Sequence, residues 1–286
     1  MPTIRILETP AEMIQAEDLQ RLVWPGSDAE ILPVHILLTF AHNGGLVLGA
    51  YEAEDLIGLL VGFPGLYPLP DGPQPKHCSH LLGVHPDYQS TGIGFALKRA
   101  QWQMLRKQGL ALATWTYDPL LSRNAYLNIA RLGAVCNTYL VNFYGEMRDG
   151  LNASLETDRL QVDWWLNTRR VSTKLGRRPR LDLGLDHYTS ADIQSLYRPL
   201  ARPNACLRPP QHFTHPQDAL ALAEIPTDFI ALKRQDSPLA REWRIFSREV
   251  FTTCFSLGYL MTDFVYDRSG ESPRSFYVLA HEKSTV

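Results

Sequence analysis

The sequence predicts an α/β fold, with a first half of alternating strands and helices followed by a smaller α/β part. Three observations carry this prediction. Residues 3 to 166 alternate between strand-like and helix-like patterns. Within them an apolar strand leads through a glycine-containing turn into a long amphipathic helix at 93–108. A stretch at 168–180 holds six Arg or Lys and no Asp or Glu. With 286 residues, 45% of them hydrophobic, the chain has material for a sizeable core.

The segments follow in order. Thr3 to Leu7 is strand-like, and Pro10 to Val23 is helical, with Met13, Ala16, Leu19, Leu22 and Val23 near helical spacing. A second helix is expected over Ile31 to Phe40, after which Gly44-Gly45 releases the chain into a strand at Leu46 to Tyr51. Leu56 to Phe63 is nearly all apolar, as in a strand covered on both faces, and Pro64 to Pro75 reads as a Pro/Gly-rich loop. His77 to Val84 is a further strand. The helix from Ile93 to Gln108 has apolar residues at 93, 97, 100 and 104 and Gly109 as its stop. A strand at Leu110 to Tyr117, a helix at Asn124 to Leu132, and strands at Val135 to Tyr144 and Arg159 to Leu166 complete this half. The division expected is 1–167, a basic linker at 168–180, and 181–286, where residues 199 to 216 carry five prolines. Leu132-Gly133 follows a helix and precedes an aromatic strand, and Leu257-Gly258 does the same, which hints at an internal repeat.

Composition excludes several partners. A net charge of −2 and a pI near 6.5 give no basic field for nucleic acid or an acidic membrane surface. No run reaches the roughly 20 apolar residues needed to span a bilayer, and MPTIRILETP lacks the basic and apolar regions of a signal peptide. Cys78, Cys136, Cys206 and Cys254 are far apart and form no zinc spacing, so a reducing cytoplasmic setting without a metal is expected.

The chemistry concentrates where the strand ending at Val84 meets Gln89-Ser90-Thr91-Gly92-Ile93-Gly94-Phe95. Glycines at 92 and 94 keep side chains away from the backbone, and the opening turn of the helix presents N–H groups and positive dipole, a cradle suited to pyrophosphate. The plain alternative is an ordinary strand-to-helix turn. A Rossmann site would need GxGxxG with a later acidic residue, and a P-loop would need Gly-Lys-Ser/Thr; neither is present.

The segment LLGVHPDYQSTGIGFAL resembles the coenzyme A-binding motif of the GNAT superfamily, Gln/Arg-x-x-Gly-x-Gly/Ala after a strand ending Val-x-Pro. The order of elements over residues 3 to 166 resembles that family too. TYDPLLSRNAYLNIARLGA and WRIFSREVFTTCFSLGY look like two-part GNAT relatives with a C-terminal extension. The resemblance implies a mixed, mostly antiparallel central sheet flanked by helices, with the C-terminal α/β part similar to half such a domain. It implies acetyl-CoA or another acyl-CoA, succinyl included, as donor, with no metal. Ser90 to Phe95 and Gln89 would hold the diphosphate, Leu82, Gly83 and Val84 would pair with the pantetheine amides, and Asn124 and Asn128 would lie along that arm.

Amine acylation needs a neutral amine and a proton for the thiolate. The family's usual glutamate base falls at His80, which is either that base or a half-buried structural histidine; His77 and His85 are weaker candidates. The usual tyrosine donor falls at Ile129, and Tyr126, three residues earlier, is either the donor or a core aromatic. Arg123 either pairs with a substrate carboxylate or is a surface charge at the helix end, and Asp118 either contacts the acceptor or caps its turn. The expected activity is direct acyl transfer to the amino group of a small molecule such as an amino acid. A catalytically silent coenzyme A-binding module and a protein acetyltransferase are the alternatives. Partners are a small amine and, as an open oligomeric state, a second copy in a homodimer.

Overall fold

The computed structural model describes residues 2–26, 28, 31–145, 155–176, 183–200 and 207–281. Residues 177–180 of the basic run, Pro203 and Cys206 lie outside them. The chain divides into two compact units. The first holds the described residues up to Trp115 with Asp163–Leu175, and the second those of Thr116–Met147, Ser154–Val162 and Gly176–Val286.

The first unit runs β1 (Thr3–Ile6), α1 (Pro10–Val23), α2 (Val34–His42), β2 (Leu46–Glu52), β3 (Asp55–Tyr67), β4 (Gln74–Val84), α3 (Ile93–Lys107) and β5 (Leu112–Tyr117), whose last two residues pass into the second unit. Strands lie in the order β1-β2-β3-β4-β5, antiparallel as far as β4, with β4 and β5 parallel. A capping box starts α1: Thr9 Oγ1 accepts from Glu12 N at 3.4 Å, Glu12 Oε2 accepts from Thr9 N at 3.0 Å, and Pro10 fills the first turn. Helix α1 buries Met13, Ala16 and Leu19, and α2 buries Leu37, against Val47, Leu59 and Val61. On the opposite face Gly58 lies against Ile93 and Leu97 of α3, so β3 is covered on both sides as its composition predicted.

Three expectations for this region change. Helix α2 begins after Pro33 rather than at Ile31. The residue before a proline is turned away from helical angles, and the N–H and C=O of Leu32 are instead held by the side-chain amide of Gln20 at 2.9 and 3.1 Å. The loop expected at Pro64 to Pro75 is a β-hairpin, since β3 continues to Tyr67 and β4 begins at Gln74. Beyond Gly62 the other side of β3 carries no pair with β2, so Pro64, lacking an N–H, sits on an open edge where none is required. In α3 the buried face is Ile93, Leu97, Lys98, Gln101, Trp102 and Leu105, rotated from the expected stripe, with Ala100 and Met104 only half-buried.

In the second unit, α4 (Ser122–Ala125) continues as a π-helical turn over Tyr126–Arg131 rather than as the α-helix expected at 124–132. Strand β6 (Val135–Leu140) stops short of Tyr144 because Asn142 turns the chain at φ +45°, its N–H bonded to Asp158 and its side-chain oxygen accepting from Thr157 N. Next come β7 (Arg159–Trp165), whose later residues join the first unit, and α5 (Arg169–Leu175), which lies within the expected linker and buries Val171 and Leu175. Helix α6 (Leu185–Ser190), β8 (Gln194–Ser195), β9 (Leu220–Ile225), α7 (Phe229–Gln235), α8 (Ser237–Ser256), β10 (Tyr259–Asp267) and β11 (Arg274–His281) complete the unit.

Its sheet runs β6-β10-β11-β9-β8, antiparallel except for the parallel pair β8/β9. Cys136 of β6 faces Met261 of β10, and each lies three residues after a left-handed glycine, Gly133 (136 − 133) and Gly258 (261 − 258). Equivalent residues facing one another in an antiparallel pair define a local two-fold axis, which gives the repeat suspected from Leu-Gly a geometric counterpart. Among the described residues no helix is long and apolar enough to cross a membrane.

Candidate active site

Strand β4 pairs with β5 only at His77↔Ala113 and Cys78↔Thr114. Among the described residues the same edge of β4 then has no strand partner from His80 to Val84. The backbone groups that point away from β3 there are open to an extended ligand, as at any open sheet edge, apart from Val84 O, which accepts from Gln89 Nε2 at 3.4 Å. Across β3 the register passes from Val61↔Leu81 to Gly62↔Ser79, so His80 is the extra residue of a β-bulge. A bulge locally breaks the ladder and re-aims a side chain. The His80 ring is exposed and lies 6.0 Å from the Phe63 ring. It is nonetheless surrounded by enough protein that desolvation lowers its pKa from the ordinary histidine value. With its pKa lowered from the ordinary value, the ring is neutral at pH 7.

After Val84 a single 3-10 turn, Pro86–Tyr88, leads into the glycine segment. Ser90 (φ +66°) and Gly92 (φ +94°) both adopt left-handed backbone, and Thr91 Oγ1 donates to Tyr88 O at 2.6 Å. Residues 89 to 92 are exposed, and a Cβ placed on Gly92 would meet nothing within 4 Å, so the space before the helix is open. Gly94 sits over Leu82 and Val84, each 3.8 Å from where its Cβ would be. The first intrahelical bond of α3 runs from Ala96 N to Gly92 O, and the amides of Ile93 and Gly94 open the helix ahead of it. Gly83 admits no side chain because Trp24 would stand 2.7 Å from its Cβ. Along this segment of the first unit His80 and residues 89 to 92 are exposed, Leu82, Val84, Gly94 and Phe95 are half-buried, and Gly83 and Ile93 are buried. The chemistry of the segment suits a diphosphate at the helix start and an amide-bearing chain along β4, which are the two parts of coenzyme A.

The remaining predicted residues belong to the second unit. Asp118 is already engaged: Arg244 binds it in a bidentate pair at 2.8 and 2.5 Å, its Oδ1 accepts from Leu120 N at 2.9 Å, and Arg159 lies 3.8 Å away. Its capping role is thereby present, and the ion pair is nearly dry. Beside it Asp158 is fully buried and accepts from Tyr139 OH at 2.7 Å, Asn142 N at 3.0 Å and Arg248 at 2.8 and 2.9 Å. Arg123 is exposed, Asn124 and Tyr126 are half-buried, and Asn128 is buried with its carbonyl accepting from Ala134 N. Ile129 is wholly buried in the core. The π-helical turn breaks the α-helical spacing from which Tyr126 was placed beside it.

Sequence reasoning missed the polar group behind β4. His77 is completely buried, and neither ring nitrogen has a hydrogen-bond partner among the described residues. Burial, with Lys98 adding to it, pushes its pKa down to about 3. Lys98, Gln101 and Ser79 are buried with it. The available signal was a lysine and a glutamine at i and i+3, next to the apolar stripe of the motif helix.

A family model described as the Acetyltransferase (GNAT) family matches residues 13–126. No curated protein sequence matches the chain. Among solved structures, the chain is similar to the ribosomal-protein-S18-alanine N-acetyltransferase from Escherichia coli, with 19% identity over 63% of this chain and 100% of that one and a TM-score of 0.43. It is similar to Arabidopsis thaliana NAA60 in complex with acetyl-CoA, with 16% identity over 58% and 99% and a TM-score of 0.47. It is also similar to an IAA acetyltransferase from Bacillus cereus, with 14% identity over 58% and 99% and a TM-score of 0.42.

Proposed function

We propose, from the match of residues 13–126 to the acetyltransferase (GNAT) family, that the chain is an acyl-coenzyme A-dependent transferase that acylates the amino group of a small molecule such as an amino acid. The single observation that carries this reading is the open edge of β4, which begins at the His80 bulge and ends at the exposed glycine turn before α3. Acyl-coenzyme A supplies an activated acyl carbonyl on a thiol leaving group. The amides of Ile93 and Gly94, with the dipole of a fifteen-residue helix behind them, hold the diphosphate. Leu82 to Val84 pair with the pantetheine amides and so fix the reacting end relative to His80. His80, neutral at pH 7, takes the proton from the incoming ammonium, directly or through water. The phenol of Tyr126 is proposed to return a proton to sulfur, and a thiol of pKa about 8.5 leaves tolerably without it.

The buried Ile129, at the family's tyrosine position, favours a second reading, a coenzyme A-binding module without catalysis. Calorimetry with acetyl- and succinyl-coenzyme A, followed by thiol-release assays over amino acids, other amines and peptides with free N-termini, separates the two. Binding with turnover of an amino acid supports the proposal. Turnover of peptides alone moves the acceptor to protein, binding without turnover supports the silent module, and absence of binding removes both.

A further inference from the structure

The ammonium of Lys98 lies in the interior of the first unit, 2% exposed, one turn into α3 from Gly94. Its three donors meet three acceptors: Ser79 Oγ at 2.8 Å, Gln101 Oε1 at 3.2 Å and the face of Trp115, whose ring centroid is 3.5 Å from Nζ. Trp164 stands at 5.7 Å and packs edge-on against Trp115 at 5.5 Å. Among the described residues no carboxylate is paired with it, and desolvation lowers its pKa well below that of an ordinary lysine. Burying an amine without a counter-charge is unfavourable even when its donors are satisfied, and a methionine would fill the same space at less cost. Core packing alone therefore does not explain a lysine here.

What the cluster grips does explain it. Ser79 immediately precedes the bulged His80, and its hydroxyl is held from the helix side by Lys98 and by Gln101 Nε2 at 3.1 Å. In an undisturbed antiparallel ladder β4 would slide by one residue and return His80 to the pleat, turning every later side chain to the other face. A tether on Ser79 opposes that slip. Because Lys98 and Gln101 belong to the helix whose first turn forms the diphosphate cradle, the same tether sets the spacing between cradle and bulge.

We propose that Lys98, acting through Ser79, is a positioning residue that holds the β4 bulge and with it the side chain of His80. The proposal rests on the acyltransferase reading for its kinetic arm only. Two variants and their combination, K98M, S79A and K98M/S79A, are compared with wild type by calorimetry, steady-state kinetics and backbone amide resonances. In K98M, kcat is expected to fall by about tenfold or more while the dissociation constant for acetyl-coenzyme A changes less than about threefold. Adding S79A to K98M should lower kcat no further, since one acts through the other. The amide resonances of His80 and Leu81 should shift in each variant, and those of Gly92 to Gly94 should not. A folded K98M with wild-type kcat and an unmoved His80 resonance overturns the proposal, as do losses that multiply in the double variant. Should K98M not fold, S79A decides by the same readouts. If wild type turns over no acceptor, the functional reading fails separately and the His80 resonance still decides this one.

Discussion

A histidine lifted out of its strand by a bulge, exposed but ringed by protein, is the group on which the proposed chemistry turns. Replacing it by alanine should lower kcat by about 10²-fold or more, with affinity for acyl-coenzyme A nearly unchanged, as measured by steady-state kinetics beside calorimetry. The direction of its pKa sets the pH profile. Burial lowers the value from that of free histidine, so the ring stays neutral to more acid pH, and the acid limb of kcat/KM should fall below pH 6.5. An acid limb above that value would assign the base elsewhere. Asp118 makes a different kind of prediction. Its carboxylate is the partner of Arg244, which is 2% exposed, so D118A leaves a buried guanidinium uncompensated and should cost roughly 3–5 kcal/mol in denaturant unfolding.

Among the elements, α1 shows how much a terminus contributes. Burial tends to raise the Glu12 pKa, but backbone N–H groups of Glu8 and Thr9, the Thr9 hydroxyl and the ion pair with Arg5 outweigh it and hold the carboxyl at about 2. A folded-state pKa below the unfolded 4.5 means the stabilisation is full above pH 4.5 and is lost as pH falls toward 2. E12Q should therefore be less stable than wild type at pH 7, by at most about 3 kcal/mol, with the difference vanishing near pH 2 in thermal melts. The glycine turn before α3 depends on backbone angle rather than charge. Gly92 at φ +94° is accessible to few L-residues, so G92V should weaken binding of the diphosphate moiety even though open space surrounds the position. Much of this was legible: α1 from Pro10 and the spacing of its apolar residues, and α3 from its glycines, whereas the capping box of Thr9 and Glu12 was seen only in the structure. Less legible were the hairpin through Pro64, which depends on where β2 begins, and the face of α3, where Lys98 and Gln101 are buried because Ser79 receives them.

For the whole molecule, the sequence suggested halves joined near residues 168–180, whereas each compact unit is assembled from separated stretches of chain. Within the second unit, β6 is paired by β10, Asp118 by Arg244 and Asp158 by Arg248, all of which lie beyond residue 180. A chain ending at residue 180 should consequently expose the β6 edge and two buried carboxylates, and should be recovered as aggregate or be degraded rapidly by protease beside the full-length protein. Recovery of a soluble, cooperatively melting 1–180 fragment would show that the first half folds without the second.

The sequence by itself determined most of the succession of strands and helices, the glycine turn before α3 and the resemblance to the acetyltransferase (GNAT) family, because these depend on local periodicity and on glycines at fixed offsets within one short segment. Only the tertiary structure decided the bulge at His80, the buried lysine behind it, the engagement of Asp118 by Arg244 and the register of β6 on β10. Each of these is a pairing between residues distant in sequence, and a single chain of letters carries no record of which distant partner a polar group will meet.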